Sequence, residues 1–367
     1  MVLGLLHKDN MVYTKTSDNN YCPEKWMVDP TPGQGTHTTL AAATADASAG
    51  DTIRIRANPN PYTENFTPKA GVNYVADTID GLTPNVTIVG KISISAAGTY
   101  SFSGIRLQTN NDNFLAVTGS AASVVNLYDC YLNVTNAIGI VNSSSSGSAY
   151  ITFNRCQGNI STTGITLFTH SGAGITSFKY TDINNSGSSV TRSTCSAGGV
   201  FIAWSNMNCP ITTSSTGFIG IGYSNMTGLD VPALIHGGRN DSSIQHSNLQ
   251  GFNSPTITVN NTLTLQFCSV YSSSSPVING SATMFAAAVV FSDNSTVTCT
   301  VSGKTMLAGP INYNNVAAIS AGTGSPNGVV TLPQGSIWMR TNATTATTRA
   351  YSNTNSGTTW TGFNTVT

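Results

Sequence analysis

A six-residue pattern of apolar and small polar residues recurs along the middle of the chain. Ile202-Ala-Trp-Ser-Asn-Met207 returns nineteen residues later as Ile221-Gly-Tyr-Ser-Asn-Met226. Further copies begin at positions 127, 153, 178, 244, 265 and 289, and the seven intervals between the eight starts average about 23 residues. Tyr100-Ser-Phe-Ser-Gly-Ile105 fits the pattern too, 27 residues before Leu127. Self-similarity at this period predicts a stack of short structural repeats.

Each position of the pattern suggests a separate role. Position one is always apolar and predicts a buried column, and position four holds only Ser, Thr or Cys, which predicts a tight corner with room for a small side chain. Position five is often Asn or Asp, and stacked side chains of this kind can bond to one another and to turn backbone. The position-five residues are Asp182, Asn206, Asn225, Asn248 and Asp293.

The residues before the repeats predict a helix followed by strands. Thr36–Gly50 has hydroxyl residues at its start, Leu40, Ala43 and Ala47 on one face, and a glycine at its end. In the following strand, Ile53 and Ile55 alternate with arginines. We expect the helix to cover the open end of the stack, where unpaired strand edges would otherwise be exposed.

The order of these elements resembles a known fold family. A short helix, Gly50-Asp-Thr-Ile53, Tyr62-Thr-Glu-Asn65 and Gly71-Val-Asn73 resemble the opening of right-handed parallel β-helix proteins of the pectate-lyase-like superfamily. The resemblance implies an all-β fold, and counting from Ile53 to Tyr313 gives about eleven rungs. It implies no activity, because the carboxylate, arginine and histidine motifs of pectin-cleaving relatives are missing.

The end of the chain resembles a second group of proteins. Gly324-Ser-Pro326, Gly328-Val-Val330, Gly335-Ser336 and Ile337-Trp-Met-Arg340, with the late Trp360, resemble a small C-terminal module of bacteriophage tail-fibre, tailspike and related virion proteins. After Arg340 the family usually continues with an Asp/Gly turn at the tip of a hairpin, whereas this chain has Asn342-Ala-Thr-Thr-Ala346. A ligand at the hairpin tip is therefore not expected. We therefore predict three parts: an N-terminal attachment segment at 1–35, a capped parallel β-helix at 36–317 and a β-rich virion-type module at 318–367.

Composition and charge narrow the possible partners. Charged residues are 8% of the 367, against about 25% in ordinary soluble proteins, and fifteen basic residues balance fifteen acidic ones. Without a cluster of Lys and Arg, a nucleic-acid partner is not expected. Met1–Leu6 is too short an apolar run for a secretory signal, and no run of eighteen apolar residues occurs. We expect a soluble chain made in a cytoplasm.

The seven cysteines predict packed free thiols. The number is odd, no Cys-x-x-Cys pair occurs, and Cys130, Cys156 and Cys268 stand where other copies of the pattern have Ser or Thr. Exchange with hydroxyl residues indicates a small side chain, and neither a disulfide nor a metal site. No cofactor and no metal are expected.

Catalytic chemistry has one weak candidate. Asp230, His236, Arg239 and Asp241 lie on one polar stretch, and two carboxylates with a nearby cation are what glycoside cleavage requires. A long solvated turn explains the same residues, and we favour that interpretation.

Position three is the column that a buried core does not explain. It holds Asp129 and Arg155 and then mostly aromatic residues, which suggests that it faces outward. A contiguous aromatic surface marks an interface, and both a subunit contact in a trimer and a glycan-binding strip fit, the subunit contact better. An inward column covered by a loop stays open as well. The candidate residues are Tyr180, Trp204, Tyr223, His246, Phe267 and Phe291.

The sequence thus predicts a structural or adhesion protein of a bacteriophage virion. It would be a homotrimeric fibre, spike or decoration protein on the tail or head, docked to other virion proteins through residues 1–35 and in contact with host surface glycans. The alternative is a tailspike depolymerase that cleaves a host surface polysaccharide.

Overall fold

A computed structural model provides the structure of the chain. It describes residues 13–15, 21–23, 26–77, 85–109, 114–119, 122–134, 139–143, 148–160, 166–185, 193–214, 216–229, 232–252, 256–272, 278–280, 284–287, 289–291, 311–313, 317–330, 334–342, 350–355 and 357–362.

Three long parallel sheets form the body of the protein. Sheet I has twelve strands: β3 Met27–Val28, β4 Thr52–Arg56, β6 Asn73–Asp77, β9 Gly98–Ser103, β12 Ser123–Tyr128, β15 Ala149–Asn154, β18 Gly174–Lys179, β21 Gly199–Ala203, β24 Phe218–Gly222, β27 Ser243–Gln245, β30 Leu263–Gln266 and β33 Met284–Ala287. Sheet II has eleven: β5 Tyr62–Thr63, β7 Val86–Val89, β10 Ile105–Thr109, β13 Tyr131–Val134, β16 Gln157–Ile160, β19 Asp182–Asn185, β22 Asn206–Met207, β25 Asn225–Leu229, β28 Asn248–Phe252, β31 Ser269–Ser272 and β34 Val290–Phe291. Sheet III has nine: β8 Ile92–Ile94, β11 Leu115–Val117, β14 Gly139–Ser143, β17 Thr166–His170, β20 Ser193–Cys195, β23 Ile211–Ser214, β26 Leu234–Gly237, β29 Ile257–Val259 and β32 Ile278–Gly280.

The chain visits the three sheets in turn, so the fold is a parallel β-solenoid, as predicted. In the described part of the chain, the nine strands of sheet III mark the limits of eight full turns. Sheets I and II have more strands because they include incomplete coils at the ends. The estimate of about eleven rungs was therefore too high. It took Tyr313 as part of the stack, whereas Tyr313 ends strand β35, which pairs antiparallel with β36 in a separate sheet.

The interior of the solenoid is apolar because alternate side chains of each strand point inward. In β12, Ser123, Val125 and Leu127 are buried while their neighbours are partly or fully exposed. Position one of the pattern stacks through the core in register, and Phe153 and Phe178 have ring centroids 4.9 Å apart. Position one thus forms the predicted buried column.

A single short helix precedes the first full coil. Helix α1 spans Leu40–Asp46, and the side chain of Thr39 caps it by accepting a hydrogen bond from the Ala42 amide. Leu40, Ala43 and Ala47, the predicted apolar face, are fully buried. The helix contacts β3 and β4, the outermost strands of sheet I, so it lies at the end of the stack as expected.

A fourth sheet follows the solenoid. Its five strands are β35 Ile311–Tyr313, β36 Ala317–Gly322, β37 Ile337–Arg340, β38 Ala350–Asn353 and β39 Trp360–Gly362, and only the β36–β37 pairing is parallel. Trp338 and Trp360 meet edge to face, with centroids 6.4 Å apart. The small β-rich C-terminal element is confirmed. Near the other end, β1 Tyr13–Lys15 and β2 Tyr21–Pro23 form a hairpin. The three-part division of the chain stays a prediction.

Two copies of the sequence pattern were placed wrongly. Strand pairing aligns Phe102, and not Tyr100, with Leu127, so that copy begins two residues later. At the other end Ala286, and not Val289, aligns with Leu265. The sequence there is rich in alanine and lacks the pattern of apolar and hydroxyl residues. Val289, three residues later, fits the pattern better than Ala286 does.

Candidate functional site

The corner between sheets I and II is the most regular surface of the molecule. Position three of the pattern lies between the two strands, and in every described coil from Asp129 to Phe267 it has a left-handed backbone with φ between 49° and 54°. Gly104 takes the same place one coil earlier, with φ of 68°. Glycine adopts this conformation without strain, whereas other residues pay about 1 to 2 kcal/mol.

Hydroxyl side chains at position four complete the backbone hydrogen bonding of this corner. Beyond the turn, the position-four N–H no longer meets a backbone carbonyl of the next coil. Instead, the amide of Ser205 donates to Oγ of Ser224 at 3.2 Å, and the amide of Ser224 donates to Oγ of Ser247 at 3.2 Å. Each Oγ then donates to the position-two carbonyl of its own coil, as Ser224 does to Gly222 at 2.7 Å. We call this chain, from Thr181 to Ser247, the hydroxyl ladder.

Aromatic side chains stack along the outside of the same corner. Tyr180, Trp204, Tyr223, His246 and Phe267 form what we call the aromatic ladder. Successive ring centroids lie 5.2, 5.7, 4.8 and 4.9 Å apart, and the ring planes differ by 12° or less. Between 51% and 59% of Tyr180, Trp204, Tyr223 and Phe267 is exposed, and His246 is exposed as well. The column faces outward, as predicted.

The residues of the aromatic ladder keep a backbone conformation that non-glycine residues adopt only with strain. Five left-handed non-glycine residues cost about 5 to 10 kcal/mol by the figure above. Each of the four stacked pairs stabilises the chain by about 0.5 to 1.5 kcal/mol, in addition to the stabilisation from the apolar area that it buries. Asparagine or glycine would relieve the strain and expose no apolar area. Strained backbone that persists in this way is a reason to look for function.

Phe291 does not belong to the aromatic ladder. It pairs with Val270 in sheet II, which is position six of the pattern, whereas ladder residues hold position three. The ladder therefore has five rings over four steps of about 4.8 Å, close to 20 Å in length. Below Tyr180 the column continues with Arg155, which makes a two-bonded ion pair with Asp129, both bonds at 2.8 Å.

A line of amides runs beside the aromatic ladder, two residues further along each coil. Nδ2 of Asn206 donates to Asp182 at 2.7 Å, Asn225 donates to Asn206 at 2.6 Å, and Asn248 donates to Asn225 at 2.8 Å. This amide ladder confirms the prediction that position-five side chains bond to one another. Asp293 lies outside the described residues. The bonds run in one direction and end on the Asp182 carboxylate, so they polarise one another.

A shallow groove lies on the outer face of sheet I, next to the aromatic ladder. Ala203 and Gly222, which pair across β21 and β24, leave part of its floor almost without side chains, and the ring of Phe201 covers Gly220 beside them. The depression has a volume of about 490 Å³. We call it the glycine groove. Its walls include Tyr150, Ile175, Lys179, Phe201, Ser243 and Gln245.

Sequence reasoning missed the glycine groove. Only the run Phe218-Ile-Gly-Ile-Gly222, in which every outward residue after Phe218 is glycine, signals it. Strand parity shows that these glycines face outward, but the depression becomes visible only when the neighbouring strands are set in register.

The described members of the four weak catalytic candidates, His236, Arg239 and Asp241, do not form a catalytic group. His236 is fully buried, with Nδ1 2.7 Å from Oγ1 of Thr213 and Nε2 3.0 Å from the carbonyl of Thr262. Burial lowers the pKa of His236, which keeps the ring neutral inside the core. Arg239 and Asp241 are exposed and bind each other through two hydrogen bonds. Asp230 lies outside the described residues. The geometry favours the solvated turn over a catalytic site.

Five of the cysteines are buried free thiols, as predicted. They are Cys130, Cys156, Cys195, Cys209 and Cys268. Burial raises the pKa of Cys195 and of Cys209 to about 11, so both are protonated and unreactive near neutral pH. Within the described ranges, no group of three or more His, Cys, Asp or Glu side chains is placed to hold a metal ion. No described helix has both the length and the apolar character needed to cross a membrane.

Comparisons of the chain with protein-family models, curated proteins and solved structures gave no significant match. The site is therefore interpreted from its own geometry. The described part of the chain offers a stiff parallel shaft, an exposed aromatic ladder, an amide ladder and a shallow apolar groove on one side.

Proposed function

We propose that this chain is a structural or adhesion protein of a bacteriophage virion, a homotrimeric fibre, spike or decoration protein exposed on the tail or head. The aromatic ladder carries the proposal. It is a contact surface built on a stiff shaft, it is kept despite backbone strain, and its exposed groups are ring edges and amides.

Two further features support the virion assignment. The sequence from Gly324 to Trp360 resembles the C-terminal module of phage fibre and spike proteins, and here it includes strands of a compact sheet in which Nε1 of Trp360 donates to Val330 at 2.8 Å. The shaft also carries few charges, and at the corner Arg155 is paired with Asp129. In this proposal, residues 1–35 dock to other virion proteins, and the ladder contacts copies of the chain or host surface glycans.

No described residue favours the depolymerase alternative. It would need carboxylates facing each other across a sugar bond, at about 5 to 10 Å. Asp241 is bound to Arg239, and His236 is enclosed by the core.

Locating the chain in purified particles tests the proposal. Antibodies against the recombinant protein should label the surface of gradient-purified virions in immunogold electron microscopy, and the chain should remain with particles through a second gradient. Antibodies against a cytoplasmic host protein serve as the control. A chain that is abundant in the lysate but absent from particles would refute the assignment.

A further inference from the structure

The aromatic ladder and the glycine groove have complementary shapes on the same part of the shaft. The ladder projects from the corner between sheets I and II over the coils that begin with β18, β21, β24, β27 and β30. The groove is cut into sheet I over the coils that begin with β15, β18, β21, β24 and β27. Four coils are shared, so a ridge and a depression lie at the same height of one molecule.

We infer that the aromatic ladder of one copy packs into the glycine groove of the next copy, which deepens the proposed function by naming the contact that joins the subunits. Two different surfaces meet in such a contact, and copies related by rotation about an axis parallel to the shaft meet at equal heights. A contact of this heterologous kind closes into a ring, and three copies complete it in the proposed trimer.

The orientation of the rings favours a protein partner over a sugar. Nearly parallel rings with centroids about 5 Å apart must lie face over face, since coplanar rings at that distance would overlap. The interior ring faces of the ladder are therefore covered, and solvent meets ring edges. A sugar packs its C–H groups on an aromatic face, whereas edges pack well into an apolar depression lined by Tyr150 and Phe201.

The exposed aromatic side chains supply a large part of the area that a stable subunit contact needs. Aromatic side chains present about 150 to 250 Å² each, so five rings that are roughly half exposed leave about 500 Å² in contact with water. Tyr150 and Phe201 in the groove, 45% and 37% exposed, add about 200 Å². One contact joins the ridge of one copy to the groove of the next, so these side chains supply about 700 Å² of the roughly 1,600 Å² that a typical interface buries on both partners together.

Charges on the two surfaces also match. Lys179 is the only charged side chain that lines the groove, and Asp182 is the only acidic side chain in the two ladders. The two residues flank Tyr180 and lie in the same coil. Rotation about an axis parallel to the shaft therefore brings Lys179 of one copy to the height of Asp182 on the next.

Native mass spectrometry and light scattering test the contact with two variants. Trp204→Ala with Tyr223→Ala removes the centre of the ridge. Gly222→Gln fills the groove, and the folded monomer should tolerate it, because a Cβ at Gly222 meets nothing within 4 Å and Gln245 stands above it in the same column. Thr258→Gln, on sheet III, is the matched control because it adds the same side chain elsewhere on the shaft.

We expect the wild type and Thr258→Gln to have about three times the 38.2 kDa mass of one chain. Each of the other variants should raise the concentration for half-dissociation at least about 100-fold, as expected when central contact residues are lost. A mixture of the two should give a one-to-one pair, since one intact ridge and one intact groove remain. Circular dichroism should show that both variants stay folded.

A wild type that remains at 38.2 kDa at about 100 μM would overturn the inference, and so would variants that keep the wild-type mass. A mixture without the one-to-one pair would refute the ridge-in-groove contact. A monomer that binds a host glycan through Trp204 would assign the ladder to the sugar instead. Because the virion assignment is tested on particles, a monomer found on virions refutes this inference and the homotrimeric state but leaves the virion assignment standing. A trimer absent from virions refutes the virion assignment and leaves the contact standing.

Discussion

Replacing Ser224 by alanine tests whether the hydroxyl ladder, and not only a need for small size, determines position four. Ser224 is buried, its Oγ accepts from the Ser205 amide, and it donates to the Gly222 carbonyl. The carbonyl of Gly222 keeps a second partner, the amide of Trp204 at 3.1 Å. Ser224→Ala therefore leaves one buried N–H, that of Ser205, without an acceptor.

The expected loss of stability follows from the one Ser205 N–H that is left without an acceptor. A buried donor without a partner costs about 1 to 3 kcal/mol, so we expect the free energy of unfolding to fall by about 2 kcal/mol. Ser224→Cys should lose less than about 1 kcal/mol, since a thiol both accepts and donates weakly. The chain already uses a thiol at position four, where Cys268 donates to Gln266 at 3.1 Å.

Urea unfolding followed by circular dichroism measures the difference, and hydrogen exchange locates it. The Ser205 amide should exchange about 30-fold faster in Ser224→Ala than in the wild type, which corresponds to about 2 kcal/mol at 1.36 kcal/mol per tenfold change, and the increase in Ser224→Cys should be less than about 6-fold. Ser269→Ala, at an exposed position five, should stay within about 0.5 kcal/mol of the wild type. If alanine and cysteine at position 224 were equally stable, size alone would explain the pattern.

Two further predictions concern the core and the glycines. Burial lowers the pKa of both His170 and His236. The unfolded chain therefore binds more protons below about pH 6.5, and the free energy of unfolding should fall as pH drops from 6.5 toward 5.5 and be fully kept above 6.5. His236→Gln should flatten the slope, and an unchanged slope would contradict this prediction. Gly238→Ala should lose more than about 2 kcal/mol, because its Cβ would collide with the carbonyl of Gly217, whereas Gly222→Ala should be neutral or slightly stabilising in urea unfolding. Equal stability of the two alanine variants would show that the chain relaxes around position 238.

The repeat was readable from the sequence because its positions have separate physical demands. Position one must be apolar to fill the core, and position four must be small, so residues like Ile202 and Ser205 recur from the coil of Leu127 to the coil of Leu265. Position five was predicted as a line of bonded amides, and Asn206, Asn225 and Asn248 form it. These regularities are local to one corner, and a single sequence shows them directly.

Features that depend on contacts between coils were not predictable. The left-handed backbone of Trp204 cannot be read from a tryptophan, which disfavours that conformation. The buried His236 resembled a surface histidine until the pairing of β23 with β26 placed Thr213 beside it. The wrong inclusion of Phe291 in the ladder came from one misplaced coil, since a register shift changes the direction in which each side chain points.

The constant corner between sheets I and II also indicates where the shaft tolerates extra length. The coil from Leu127 to Phe153 takes 26 residues and the coil from Ile202 to Ile221 takes 19, yet each presents the same corner between sheets I and II. The extra residues lie partly in longer strands and partly at the other two corners, between sheets II and III and between sheets III and I. Those corners are therefore the natural places to graft peptides, which would be displayed in a row along the shaft at multiples of about 4.8 Å. The corner with the aromatic ladder keeps the same backbone conformation in each described coil from Asp129 to Phe267, so grafted peptides would be held at fixed positions relative to it.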